Sequence, residues 1–214
     1  MTAIATAAPA TVQFTEEMLG HVTFDETDYN RGAHADRPGA SFFKFHLTIV
    51  VDDIQRFSAD PMRQGGAFGW VECDALGGQL PVVNGWFNLF VDQAQPGVKH
   101  MLYRLFFRDS VGHPLTMSGF KLVRDDAGFD VWRDTTTLFT RVYRGHVSAS
   151  EEEGAELVAS GVLRIRMRDF AKQLTTFRGG PGPVAAVGAI ARFGIIFMRQ
   201  LFEAYVLSMG RRIG

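Results

Sequence analysis

The ten residues Phe42-Phe43-Lys44-Phe45-His46-Leu47-Thr48-Ile49-Val50-Val51 alternate strictly. Phe43, Phe45, Leu47, Ile49 and Val51 fall on one side, and Phe42, Lys44, His46, Thr48 and Val50 on the other. A period of two places successive side chains on opposite faces of a pleated strand, so this stretch is a β-strand with one apolar face. The pattern recurs outward from it. Towards the C-terminus, segments 66–75 and 79–92 flank Leu76-Gly77-Gly78 as a hairpin, because adjacent glycines supply the positive φ of tight β-turns. Segments 99–108 and 115–124 form a second hairpin through Asp109-Ser110-Val111-Gly112, and 135–147 and 156–167 complete the series. Towards the N-terminus, 19–24 reads as the first strand, preceded by a helical turn over 15–18 with Thr15 as its cap.

Eight antiparallel strands joined by hairpins can close without a free edge, at a diameter that holds side chains or one small ligand. The expected fold is therefore mainly β: an eight-stranded antiparallel up-and-down barrel, lipocalin- or calycin-like, with a long C-terminal helix. A two-sheet sandwich is the alternative, since strand count does not record closure. Residues 1–13, mostly Ala and Thr, read as a disordered leader, 14–178 as the barrel domain, and 179–214 as a hinge and terminal helix. Segment 25–39, with Asp28, Asn30, Gly32 and Pro38, suits a loop across one barrel mouth. Asp52 and Asp53 cap a short helix over 54–58, and a second short helix is expected over 169–176.

The chain of 214 residues carries 22 Lys and Arg against 23 Asp and Glu, and a net charge of -1 gives no footprint for nucleic acid. One cysteine and no signal-like N-terminus point to a reducing, cytoplasmic setting. Nineteen Phe against four Tyr and three Trp favour a dry interior, because Phe brings no hydrogen-bonding group into it. The terminal segment 184–209 is nearly uncharged, with Arg192, Arg199 and Glu203 on one stripe, so something must cover its apolar circumference. Its own barrel and a two-fold mate are the expected cover, giving a homodimer. The arginines disfavour a transmembrane span and leave an in-plane membrane contact open.

No phosphate loop, dinucleotide fingerprint, Cys-x-x-Cys, His-Glu-x-x-His or nucleophile elbow occurs, and the six histidines are scattered, so neither a cofactor nor a metal site is expected. The acidic run 124–135 lacks the glycine-centred loop and terminal Glu of an EF-hand calcium site. Polar residues inside strands carry what chemistry there is, because an inward charge is costly unless a partner or ligand needs it. Glu72, His46, Tyr103 and Arg104 are the acid–base candidates. Trp70, Trp86, Asn88, Phe90 and Lys121 are candidate ligand contacts. Parity pairs Glu72 with Trp70, Trp86 with Asn88 and Phe90, and separates Tyr103 from Arg104. Should those faces be solvated, Val71, Cys73, Phe87, Leu89 and Val91 form the core instead.

Residues 42–49, 71–78, 87–92, 101–109 and 115–121 resemble a region attached to large bacterial cholesterol-oxidase-like oxidoreductases of the glucose-methanol-choline family. The similarity runs from Phe14 to the terminal helix and covers the accessory region alone, without the flavin-binding fold. It implies a steroid, terpenoid or lipid context and a redox partner, and it carries over no catalytic residue. Two functions are consistent with these readings. One is binding of an apolar small molecule in the barrel. The other is a cofactor-independent isomerase or cyclase acting on a terpenoid, steroid or polyunsaturated substrate.

Overall fold

A computed structural model describes residues 8–95, 97–123, 135–165, 178–180 and 182–209. Within them the chain forms strands β1 (Thr11–Phe24), β2 (Ala40–Val51), β3 (Gln64–Cys73), β4 (Gly78–Val82) and β5 (Asn84–Asp92), followed by β6 (Lys99–Arg108), β7 (Pro114–Val123), β8 (Thr137–Arg144), β9 (Leu157–Arg164) and β10 (Arg178–Gly180). Strands β1, β2, β3, β5, β6, β7, β8 and β9 pair antiparallel in that order, and β9 returns to β1. The molecule is a closed eight-stranded barrel. β4 pairs antiparallel with the second half of β3, and β10 lies beside the first residues of β1.

The barrel closes at the seam between β1 and β9. A Cβ on Gly20 would lie 2.1 Å from the carbonyl oxygen of Val162, and one on Gly161 would lie 2.0 Å from that of His21. Both glycines let the two backbones approach where any side chain would hold them apart. The pleat then sends Phe43, Phe45, Leu47 and Ile49 of β2 inward to meet Val12, Phe14, Met18 and Val22 of β1, and all of these are buried. They join Val71, Cys73, Phe87, Leu89, Leu105, Phe107, Leu115 and Met117 in one hydrophobic cluster.

Several boundaries differ from the sequence reading. Residues 15–18 are strand, not a helical turn, and β1 begins at Thr11, inside the expected leader, because β2 and β10 pair with it there. The expected strand over 79–92 is two. β3 pairs with β4 through its second half and with β5 through its first, and the Val83 N–H donates instead to the Phe106 carbonyl at 2.8 Å. Segment 25–39 does not cross a mouth. Its short helix α1 (Tyr29–Gly32), capped by Asp28, lies on the outer wall: Thr23 Oγ1 donates to the Gly32 carbonyl at 3.0 Å, and Tyr29 packs edge-on to Phe120 and Phe139 at 5.7 and 5.6 Å. The glycine hinge begins as β10 rather than as a free link. Helix 169–176 and most of the acidic run, 124–134, fall outside the described residues.

Helix α2 (Ile54–Ala59) is capped by Asp53, which accepts from the Gln55 and Arg56 amides. Helix α3 (Pro183–Met209) closes the same end of the barrel. Its Phe193 is 4% exposed, with ring centroids of Phe14 at 5.5 Å and Phe57 at 6.0 Å, while Phe197 meets Phe90 at 5.2 Å. The helix is thus a stopper at the mouth. No described helix is long and apolar enough to cross a membrane.

Candidate functional site in the barrel interior

Three polar residues meet inside the barrel. Glu16 alternates inward on β1 between Phe14 and Met18, Tyr103 lies on β6 and Lys121 on β7. They are 2, 2 and 3% exposed. Two strands, β8 and β9, separate β7 from β1 around the ring, so the contact crosses the lumen instead of running along its wall. Tyr103 Oη donates to Glu16 Oε2 at 2.8 Å, and Lys121 Nζ donates to Glu16 Oε1 in a short ion pair. Lys121 Nζ also stands 5.1 Å from the Tyr103 ring centroid, a cation–π position. Phe87 and Phe45 flank that ring at 5.1 and 5.9 Å.

An isolated carboxylate or ammonium in such surroundings would be severely destabilising, and each here offsets the other while the phenol fills a further carboxylate site. Burial, reinforced by the adjacent Glu16 charge, pushes the Tyr103 phenol well above its ordinary value, so it remains a proton donor. An ammonium has three N–H donors. Glu16 takes one from Lys121, and the others meet no hydrogen-bond acceptor among the described residues. Such an ammonium can donate hydrogen bonds to a carbonyl or hydroxyl oxygen.

The structure brings together Tyr103 and Lys121, two of the residues singled out from the sequence, and adds Glu16. Glu16 lies in segment 15–18, which the cap-like Thr15 marks as helical in the sequence. The alternation of Val12, Phe14, Met18 and Val22 around it was the available signal.

Of the remaining candidates, Phe90 belongs to the buried hydrophobic cluster and the others lie outside the lumen. His46, Trp70 and Glu72 face out, because the apolar run of β2 claims the inner side and pairing puts His46 beside Trp70 and Lys44 beside Glu72. There His46 stacks on Trp70 at 5.4 Å, Lys44 stands 5.1 Å from the same ring, and Lys44 and His46 both contact Glu17, at 3.1 and 3.2 Å. Trp86 also points outward, edge-on to Phe106 at 5.1 Å. Asn88 is buried beneath the turn before β3, donating from Nδ2 to the Met62 carbonyl at 3.0 Å. A bulge between Asn88 and Val91 holds Phe90 at φ +50° and turns its ring against α3, leaving Val91 only partly buried.

Arg104 is buried but on the outer wall. It donates from Nη1 to the Val147 carbonyl at 2.7 Å and pairs closely with Glu152, which also accepts from Ser118 Oγ at 2.6 Å. This network fastens the 3-10 turn Ala149–Gly154 over β6 and β7, beside an open depression lined by Arg144, His146 and Glu151. Cys73 is buried and its thiol is pushed up by burial. No group of three potential metal ligands occurs among the described residues.

Compared with known proteins, the chain matches no family model, no curated protein and no solved structure.

Proposed function

We propose that this barrel binds an apolar small molecule of the steroid, terpenoid or lipid kind, with a single oxygen function held against Lys121, Tyr103 and Glu16. The observation that carries the reading is the Lys121 ammonium, buried over the Tyr103 ring with donors beyond the one Glu16 accepts. Apolar walls with one convergent polar group fit a ligand that is mostly hydrocarbon and oxygenated at one end. In line with the family resemblance, such a ligand would be passed to a redox partner of the glucose-methanol-choline type.

The test is titration of the full chain with a fluorescent sterol, beside Lys121→Met. A hydrogen bond from a charged donor contributes about 1.5–3 kcal/mol, so the variant should bind at least about tenfold more weakly. Absence of saturable binding to the unaltered chain, or equal affinity of the variant, overturns the reading.

A second reading rests on the Tyr103 to Glu16 hydrogen bond. A carboxylate beside a phenol that stays protonated is a base and acid couple, suited to shifting a double bond in a bound unsaturated ketone without a cofactor. Glu16 would take a proton from the carbon next to the carbonyl, and a proton returned to the far end of the dienolate would complete the isomerisation. Formation of conjugated-enone absorbance from a β,γ-unsaturated ketosteroid, lost in Glu16→Gln, is the expected result for an enzyme. Binding without conversion leaves the carrier reading alone.

A further inference from the structure

We propose that the outward face of α3 docks on an anionic lipid surface, so that the helix closing the barrel is also the part of the molecule that meets a membrane. One side of α3 is used internally: Ala189 and Phe193 are buried in the barrel end. The opposite side is apolar as well, with Val187 70% and Ile195 66% exposed and Gly188, Ala191 and Gly194 between them. Arg192 stands exposed along the same face. Met62, in the turn leading to β3 at this end of the barrel, is also exposed.

Charge selects the occupant. Residues 178–214 hold Arg178, Arg192, Arg199, Arg211 and Arg212 against Glu203 alone, a net of +4, so the preceding residues carry -5 of the total of -1. An anionic surface attracts this C-terminal stretch of the sequence and repels the remainder, which favours an orientation with α3 against the headgroups. Apolar side chains among arginines, with no acidic residue from Pro183 through Gln200, are the pattern of a helix lying in the interfacial plane. A second copy fits this face less well. An antiparallel two-fold contact centred on Ile195 would oppose arginine to arginine across the interface.

The test is flotation of the full chain, without added ligand, on vesicles of phosphatidylcholine alone and of phosphatidylcholine with phosphatidylglycerol. The expected result is binding to the anionic vesicles only, weakened by salt. Val187→Asp with Ile195→Asp, and separately Arg192→Glu, should reduce it to the level of neutral vesicles. Because these side chains are exposed, circular dichroism and melting temperature should stay as in the unaltered chain, and the single arginine variant keeps the test readable should the double variant misfold. Failure to float on either vesicle overturns the proposal, as does flotation unchanged in both variants. A dimer by light scattering that the double variant converts to monomer, without vesicle binding, shows that a second copy covers the face and equally overturns it. Sterol titration in the absence of vesicles reports the interior site separately.

Discussion

Tyr103 donates its hydroxyl to Glu16 across the barrel interior at 2.8 Å, joining β6 to a strand that is not its neighbour in the sheet. With Lys121 this makes a bridge between opposite walls, in a place where apolar residues of similar volume would serve folding as well. Removing one partner of a buried pair typically costs about 3–5 kcal/mol, whereas replacing the whole set by apolar residues is often neutral or stabilising by about 1–4 kcal/mol. Lys121→Met alone should therefore destabilise strongly in urea unfolding, and Glu16→Leu, Tyr103→Phe and Lys121→Met together should recover the loss. Recovered stability with abolished sterol binding would separate function from architecture.

Three phenols give the protein an alkaline limit. Burial raises Tyr29 and Tyr143 above their ordinary value, and burial followed by the Glu16 charge raises Tyr103 furthest. In the unfolded chain tyrosine ionises near pH ~10, so above that point the unfolded state binds fewer protons than the native state. The stability is present in full below about pH 10 and is lost as pH rises towards the native values. Absorbance titration of the phenols should show delayed ionisation coinciding with unfolding, and Tyr103→Phe should make the high-pH loss of stability shallower. Three phenols titrating normally in a folded protein would contradict this.

Phe193 couples the helix to the barrel. Truncating a buried Phe to Ala typically costs about 3–5 kcal/mol, and Phe193→Ala should lower the melting temperature and admit a hydrophobic dye at the mouth formed by Phe14 and Phe57. Val187→Ala, on the exposed side of the same helix, should stay within about 0.5 kcal/mol. Equal effects at the two positions would show that the ring is not seated in the barrel.

The glycine seam is open to a direct test. Gly161→Ala places a Cβ against the His21 carbonyl oxygen, and backbone cannot give way as a side-chain tip can. Overpacking of this kind costs about 1–3 kcal/mol or more, so thermal unfolding should come earlier and amides of β1 facing β9 should exchange faster than those facing β2. Unchanged exchange along that edge would argue against the close approach.

The strands were legible because each carries an apolar face with a period of two, and the segment beginning at Phe42 gave its parity outright. The bulge that turns Phe90 towards α3 was not, since it depends on contacts with the turn around Met62 and with Phe197. The interior site was half legible. Lys121 and Tyr103 stood out as polar residues in apolar strands, but their convergence depends on ring closure, which alternation does not encode. Glu16 was lost to a plausible helix cap at Thr15. Arg104 shows the converse: a charged residue within a strand finds its partner on the outer wall as readily as in the lumen.

The seam also sets an order of events. Residues Leu19 through Phe24 pair with Ala159 through Arg164, and the cross-barrel bond of Glu16 spans 87 residues. A nascent chain emerging from the ribosome can form the hairpins one after another, but β1 must wait with one edge bare until β9 has been made. Contacts so distant along the chain impose a large loop-closure cost, so ring closure should come late and set the folding rate. Until then Glu16 has neither Tyr103 nor Lys121 beside it, and the incomplete ring exposes the strand edge from which intermolecular pairing starts.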